Sequence, residues 1–76
     1  FNIYPNPAAD VININSTSVV NADVEIYSSL GQKVYSGEIA GSKATIDVSK
    51  LNKGYYFIKF VNRNSGIQET LSFIKK

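Results

Sequence analysis

The sequence IDVSKLNKGYYFIKF, residues 46–60, decides how this chain folds. Its first part alternates apolar and polar side chains, with Ile46 and Val48 on one face, which is the period of a half-buried strand. Its last part begins after Gly54 and is the densest apolar run of the chain. The polar residues 49–53 between these two parts predict a tight corner that joins two strands.

The spacing of Leu51, Gly54 and Tyr56 resembles the tyrosine corner of Greek-key sandwiches, in which a tyrosine hydroxyl bonds to the backbone a few residues upstream. A corner beneath a core leaves backbone groups unpaired, and a phenol can pair with one while its ring fills space. One face of the following strand is therefore predicted to be buried and the other exposed. The buried face has Tyr56, Ile58 and Phe60, and the exposed face has Tyr55, Phe57 and Lys59.

Short alternating segments separated by turn signals recur along the rest of the chain. They predict an all-β fold, an immunoglobulin-like antiparallel β-sandwich of about seven short strands in two sheets. A partly open barrel is the alternative. The predicted strands are residues 1–4, 10–15, 22–28, 33–36, 43–48, 55–61 and 67–74.

The segments between these strands are interpreted as turns and connections. Gly31 supplies a positive φ to a hairpin turn, and residues 62–66 form a second hairpin loop. Residues 16–21 are interpreted as a connection and residues 38–40 as a loop or irregular strand. The inward positions on the remaining strands are predicted to be Ile12, Ile14, Val24, Ile26, Val34, Leu71 and Phe73.

Composition limits the functions that the chain can have. Its 76 residues predict a single domain with a small core. There is no Cys and no His, which excludes disulfides, thiolate nucleophiles and the common catalytic triads and zinc sites. The net charge of +2 is too small to predict a nucleic-acid partner, and no apolar run could span a membrane. We expect no enzyme activity and no cofactor.

Two groups of residues remain as candidate binding sites. Asp23 and Glu25 share one face of a strand and could meet a calcium ion, but a solvated acidic edge is the favoured interpretation. Outward aromatic side chains could stack on sugar rings, although cross-strand pairs or a contact with a neighbouring domain are favoured over this. These aromatic residues are Tyr27, Tyr35, Tyr55 and Phe57.

Four stretches of the sequence, taken together in their order and spacing, make a specific family signal. They are Tyr4-Pro5-Asn6-Pro7-Ala8; residues 24–27 followed by Leu30-Gly31-Gln32-Lys33-Val34; Ile46-Asp47-Val48-Ser49 with Leu51, Gly54 and Tyr56; and Ser72-Phe73-Ile74-Lys75-Lys76. Together they resemble the type A C-terminal sorting domain of the bacterial type IX secretion system. The family often has Asp shortly before the hairpin glycine, where this chain has Ser28 and Ser29, another turn-forming pair.

The resemblance implies that residues 1–76 are a single C-terminal sorting domain, excised from a longer secreted protein. Its partners would be an upstream passenger domain, the outer-membrane secretion machinery and a sortase-like peptidase. The passenger would cross the periplasm and reach the cell surface or the medium, where the domain is removed and the passenger is attached or released. The other hypothesis is an accessory β-sandwich that binds carbohydrate or serves adhesion, and an internal position in the full-length protein would favour it.

Recognition is predicted to use the end of the last strand, together with the exposed surface beside the Gly54–Tyr56 corner. The proposed recognition residues are Phe73, Ile74, Lys75 and Lys76. A frayed, solvated end is the alternative for the two lysines. Exposed edge strands also predict weak homodimers by self-pairing.

Overall fold

A computed structural model describes residues 1–5 and 8–76 of the chain. These residues form five strands and no helix. The strands are β1 (Asn2–Tyr4), β2 (Val11–Ser28), β3 (Lys33–Asp47), β4 (Gly54–Asn62) and β5 (Gln68–Lys75). Every pairing between them is antiparallel and all belong to one sheet, so the predicted all-β class is confirmed.

β2 lies at the centre of the sheet and has three neighbours. β3 pairs with residues 11–15 and 20–27 of β2, along one of its edges. β1 and β4 share the other edge, where they pair with residues 13–15 and 22–28 of β2. β5 pairs with β4 and completes the order β1-β2-β4-β5, with β3 beside β2.

The predicted count of about seven strands is too high, because β2 and β3 each combine two predicted strands. Residues 16–21 are part of β2, and residues 38–40 are part of β3. At the bend, residues 16–19 of β2 lie opposite only Ser42 of β3. Such a bulge bends a strand pair without ending it. The polar residues of the bulge have the composition of a turn, which is why they were interpreted as a connection.

The bend folds the sheet over a single core. Ile12 and Ile14 from the first half of β2 belong to the same buried cluster as Val24 and Ile26 from the second half. Two halves of one strand can share a core only if the sheet turns back on itself. The molecule therefore has two facing layers made from one curled sheet, instead of the two separate sheets of an immunoglobulin-like sandwich. This arrangement is closer to the alternative of a partly open barrel.

Most of the predicted inward positions are confirmed. The buried ones are Ile12, Ile14, Val24, Ile26, Tyr56, Ile58, Phe60 and Phe73, and Leu71 packs against them. The prediction for Val34 is wrong, since this side chain is 39% exposed. The register shifts between Ile26, which lies opposite Tyr35, and Tyr27, which lies opposite Lys33. Val34 is the extra residue at this shift, where simple alternation no longer tells the inner face from the outer one.

Candidate recognition surface

Four segments of the chain meet at one end of the sheet. Ser28, the last residue of β2, lies opposite Tyr56 of β4, which in turn lies opposite Phe73 of β5. Two residues further along, Gly54 begins β4 opposite Lys75, the last residue of β5, and Lys75 also forms a bridge to Ala8. We call this region the motif end, and it comprises the hairpin 28–33, the corner 48–54, residues 73–76 and Ala8.

Hydrogen bonds hold the corner at the motif end. The Leu51 amide donates to the Val48 carbonyl at 3.0 Å, and the Ser49 amide donates to Asp47 Oδ1 at 2.9 Å. Hydrogen bonds from the Ser49 side chain and backbone lower the pKa of Asp47, because they stabilise its ionised form. The carboxylate of Asp47 therefore fixes the start of the turn.

Tyr56 makes the hydrogen bond that was predicted for a corner tyrosine. Its hydroxyl donates to the backbone carbonyl of Asn52 at 2.6 Å, while only 7% of the residue is exposed. Gly54 lies between the two residues and has a φ of 152°, which a side chain would strain. The ring thus fills the core, and the hydroxyl satisfies a carbonyl of the turn.

The last strand is built onto this corner. The Phe73 ring is 1% exposed and stacks on Tyr56, with ring centroids 5.4 Å apart and an angle of 17° between the planes. Lys75 is only 7% exposed, and its ammonium group donates to the Lys76 carbonyl at 3.0 Å. Ile74 and Lys76 are exposed. Of the four proposed recognition residues, two are therefore buried and two are on the surface.

The N-terminal motif reaches the motif end through Ala8. This residue is fully buried, its amide donates to the Ile74 carbonyl at 2.8 Å, and its carbonyl accepts from the Lys76 amide at 2.8 Å. Tyr4 and Pro5 are exposed, and residues 6–7 lie outside the described residues. Sequence reasoning included Ala8 in the motif but missed its packing, for which its small size was the only signal.

The hairpin at the motif end presents charged and hydroxyl groups. Gly31 has the predicted positive φ, at 86°. Glu25 accepts hydrogen bonds from the Tyr27 hydroxyl at 2.9 Å and from the Lys33 ammonium group at 3.3 Å. These two bonds lower the pKa of Glu25, and the bond from Tyr27 has the larger effect. Lys33, part of the second motif, therefore lies in an ion pair on the surface.

The opposite end of the sheet is organised around Arg63, in the hairpin 62–67. Its guanidinium donates to Asp23 Oδ1 at 2.7 Å and 3.1 Å and also to Glu38 Oε1. The hydrogen bonds to Asp23 and Glu38 raise the pKa of Arg63. All three groups are exposed, and we call this region the ion-pair end. These pairs join the acids of one half of the sequence to a base of the other.

An open groove of about 420 Å³ lies between the two ends. It is lined by Asp23, Val24, Glu25, Lys33, Ser36, Gly37, Glu38 and Val61. Its acidic side chains are paired with Lys33 and Arg63, so they form a solvated charged edge. Within residues 1–5 and 8–76, no three His, Cys, Asp or Glu side chains lie together in a way that could hold a metal ion.

Three of the four predicted outward aromatic residues share the outer face of the sheet. Tyr27 lies opposite Phe57, and the rings of Tyr55 and Phe57 meet edge to face with centroids 5.4 Å apart. The Tyr55 hydroxyl donates to Ser72 Oγ at 3.0 Å. Tyr35 is also exposed, at 36%, but the register puts it opposite the buried Ile26, on the other face from these three residues. Tyr27 and Phe57 are thus cross-strand neighbours, whereas the contact between Tyr55 and Phe57 lies along β4, next to the motif end.

Comparison with known protein families gives one match that covers nearly the whole chain. The family described as secretion system C-terminal sorting domain matches residues 2–76. The comparison with curated proteins gave no match. The described residues contain no helix with the length and apolarity needed to cross a membrane.

Proposed function

We propose that this chain, which belongs to the family of secretion system C-terminal sorting domains, is the address by which the type IX secretion machinery exports an attached passenger protein. The family implies a sorting signal for this secretion system and export to the cell surface or beyond. The domain itself performs no catalysis in this proposal. Its sequence, without His or Cys, lacks the side chains of the common hydrolytic sites.

We place recognition between an earlier step and a later one. The passenger, with the domain attached, crosses the inner membrane by an ordinary signal peptide, and the folded domain then meets the outer-membrane machinery from the periplasm. A sortase-like peptidase then removes the domain, and the passenger is attached to the surface or released. The partners are thus the machinery, the peptidase and the passenger upstream of the domain.

The motif end is the observation that supports this function. Residues that are far apart in the sequence, including Gly31, Gly54, Lys75 and Ala8, lie together at one end of a small sheet. A partner could read this end in a single contact, whereas it would meet no such combination of motifs at the ion-pair end. The side chains at its surface include Ile74 and Lys76, so these two are proposed as the residues that the partner reads.

An export assay tests the function. A reporter enzyme with an inner-membrane signal peptide would be fused to residues 1–76 and expressed in a bacterium with a working type IX system. We expect the reporter in the medium or on the surface, and its retention in the periplasm when the machinery is inactivated. The matched control is the reporter without residues 1–76, which should remain in the periplasm.

Two outcomes would contradict the proposal. Export that continues after inactivation of the machinery would show that the domain uses another route. Retention of the fusion in a strain that exports its own type IX substrates would show that the folded domain is not a sufficient address. Circular dichroism of the purified domain establishes that the sheet has formed.

A further inference from the structure

The N-terminal segment closes the gap between two edges of the curled sheet. β1 pairs with residues 13–15 of β2, and Ala8 forms a parallel bridge to the end of β5. The Phe1 nitrogen lies 3.4 Å from the Glu69 carboxylate, so the described residues of the segment contact β5 near both of its ends. We call the described residues 1–5 and 8–10 the closing strap.

The closing strap is fixed at both of its described parts. At one part, the Phe1 ring stacks on the buried Phe60 ring, with centroids 4.2 Å apart and planes nearly parallel. At the other part, Ala8 is fully buried and exchanges two backbone hydrogen bonds with residues 74 and 76. The Asp10 carbonyl also accepts from the Val48 amide at 2.8 Å.

We propose that the closing strap and the last residues of the chain form one clamp, in which release of either part loosens the other. Ala8 lies between the Ile74 carbonyl and the Lys76 amide, so both hydrogen bonds are lost together when either segment leaves. The strap would therefore hold residues 74–76 in a fixed, extended conformation at the motif end.

The coupling follows from the position of the two segments at the border of the sheet. β1 is only three residues long, and Lys76 follows the last residue of β5. Short segments at the border of a sheet open locally at lower free energy than its central strands. The two segments share the hydrogen bonds of Ala8. Loosening the C-terminal residues must therefore loosen the strap, and loosening the strap must loosen the C-terminal residues by the same free energy.

Removal of Lys76 tests the clamp from its C-terminal side. This truncation deletes the amide that donates to Ala8, whereas the control Lys76→Ala keeps that amide and removes only the charged side chain. We expect amide hydrogen exchange at residues 2–4 and at Ala8 to become about tenfold faster in the truncated chain. Exchange at Val24 and Ile58 in the core should stay the same, and Lys76→Ala should match the unaltered chain.

Phe1→Ala tests the same coupling from the other side, so the proposal does not depend on the truncated chain alone. This change removes the ring that stacks on Phe60 but touches none of residues 73–76. We expect faster exchange at the Lys76 amide, with Tyr4→Ala, an exposed strap residue, as the control without effect.

Three results would overturn the clamp. The first is unchanged strap exchange in the truncated chain. The second is an equal increase in the core and the strap, which would show global destabilisation. The third is strap exchange that Lys76→Ala accelerates as much as the truncation does, because the loss of the charged Lys76 side chain would then explain the result. Hydrogen exchange needs no secretion machinery, so these results are independent of the export assay.

Discussion

The two ends of the sheet are stabilised by different physical interactions. At the motif end, buried rings and neutral backbone hydrogen bonds join the corner, the last strand and Ala8. At the ion-pair end, exposed Arg63, Asp23 and Glu38 are joined by charge-assisted hydrogen bonds. Burial makes the first set sensitive to the shape of side chains, and exposure makes the second set sensitive to salt.

At the motif end, different residues would serve folding and the proposed recognition. Phe73 and Tyr56 at the motif end are buried and hold the strands together, while the neighbouring Ile74 and Lys76 are on the surface. A motif that is needed for folding and a residue that is read by a partner can thus be adjacent in the sequence. Substitutions should separate the two roles by their effect on stability.

Phe73→Ala should have the largest effect on stability. Phe73 is 1% exposed, and truncation of a buried aromatic ring costs about 3–5 kcal/mol, which is comparable to the whole stability of many small domains. Urea unfolding would measure the change. Phe57→Ala in the neighbouring strand is the matched control, since Phe57 is 39% exposed and should lose much less. Similar losses for both would show that the C-terminal strand is not part of the core.

Tyr56→Phe should have the next largest effect, because it removes a hydroxyl and leaves the Asn52 carbonyl without its partner. We expect a loss of about 1–3 kcal/mol in the free energy of unfolding. Tyr55→Phe is the control at the adjacent residue, whose hydroxyl bonds to an exposed side chain, and its loss should be within about 0.5 kcal/mol. An equal loss in both variants would remove the distinction between the corner and the outer face.

Arg63→Gln should have a smaller effect that depends on salt. The substitution removes the ion pairs to Asp23 and Glu38, which are exposed and screened by dissolved ions. We expect a lower melting temperature than that of the unaltered chain in dilute buffer, and a smaller difference at about 1 M NaCl. Lys43→Gln is the control, an exposed base at the same end with no ion pair among the described residues. A difference that persists at high salt would contradict an electrostatic origin.

The dependence of stability on pH should be the smallest effect. The pKa values of Glu25 and Asp47 are lowered in the folded chain from ordinary values of 4.5 and 3.8. Their hydrogen bonds therefore stabilise the fold above those values, and this stabilisation is lost as the pH falls through the lowered pKa values. Melting temperatures should be constant from neutral to mildly acidic pH and fall below about 4.5.

Glu25→Gln should reduce that fall in melting temperature. Asp10→Asn is the control, since within the described part of the chain the Asp10 side chain has no hydrogen bond. If Asp10→Asn reduces the fall in melting temperature as much as Glu25→Gln does, the hydrogen bonds from Tyr27 and Lys33 to Glu25 do not cause the acid sensitivity.

The corner could be predicted from the sequence because its determinants are local. The spacing of Leu51, Gly54 and Tyr56 predicts both the turn and the aromatic ring that packs against it. The structure contains the predicted hydrogen bond from the Tyr56 hydroxyl to the backbone upstream. Alternation also identified the buried faces of residues 12–14 and 22–26 of β2, where apolar residues occupy every second position. The short alternating pattern around Val34 failed, because the register with β2 shifts there.

The course of the sheet could not be predicted, because it depends on contacts between distant residues. Residues 16–19 have the composition of a turn, and β2 continues through them because it pairs with β3 on both sides of the bulge. The burial of Lys75 likewise depends on Ala8 and Gly54, which are distant in the sequence. From the sequence alone, two terminal lysines indicate a solvated end, and the contact with the strap is not visible there.

Export of Ile74→Ser compared with Ile67→Ser tests the central claim most directly. Ile67 is 69% exposed and lies in the hairpin at the ion-pair end, and Ile74 is 47% exposed at the motif end. Both variants should remain folded. We expect that a reporter with Ile74→Ser stays in the periplasm while the reporter with Ile67→Ser is exported normally. Normal export of both folded variants would contradict it, because the surface of the motif end would then not be the address.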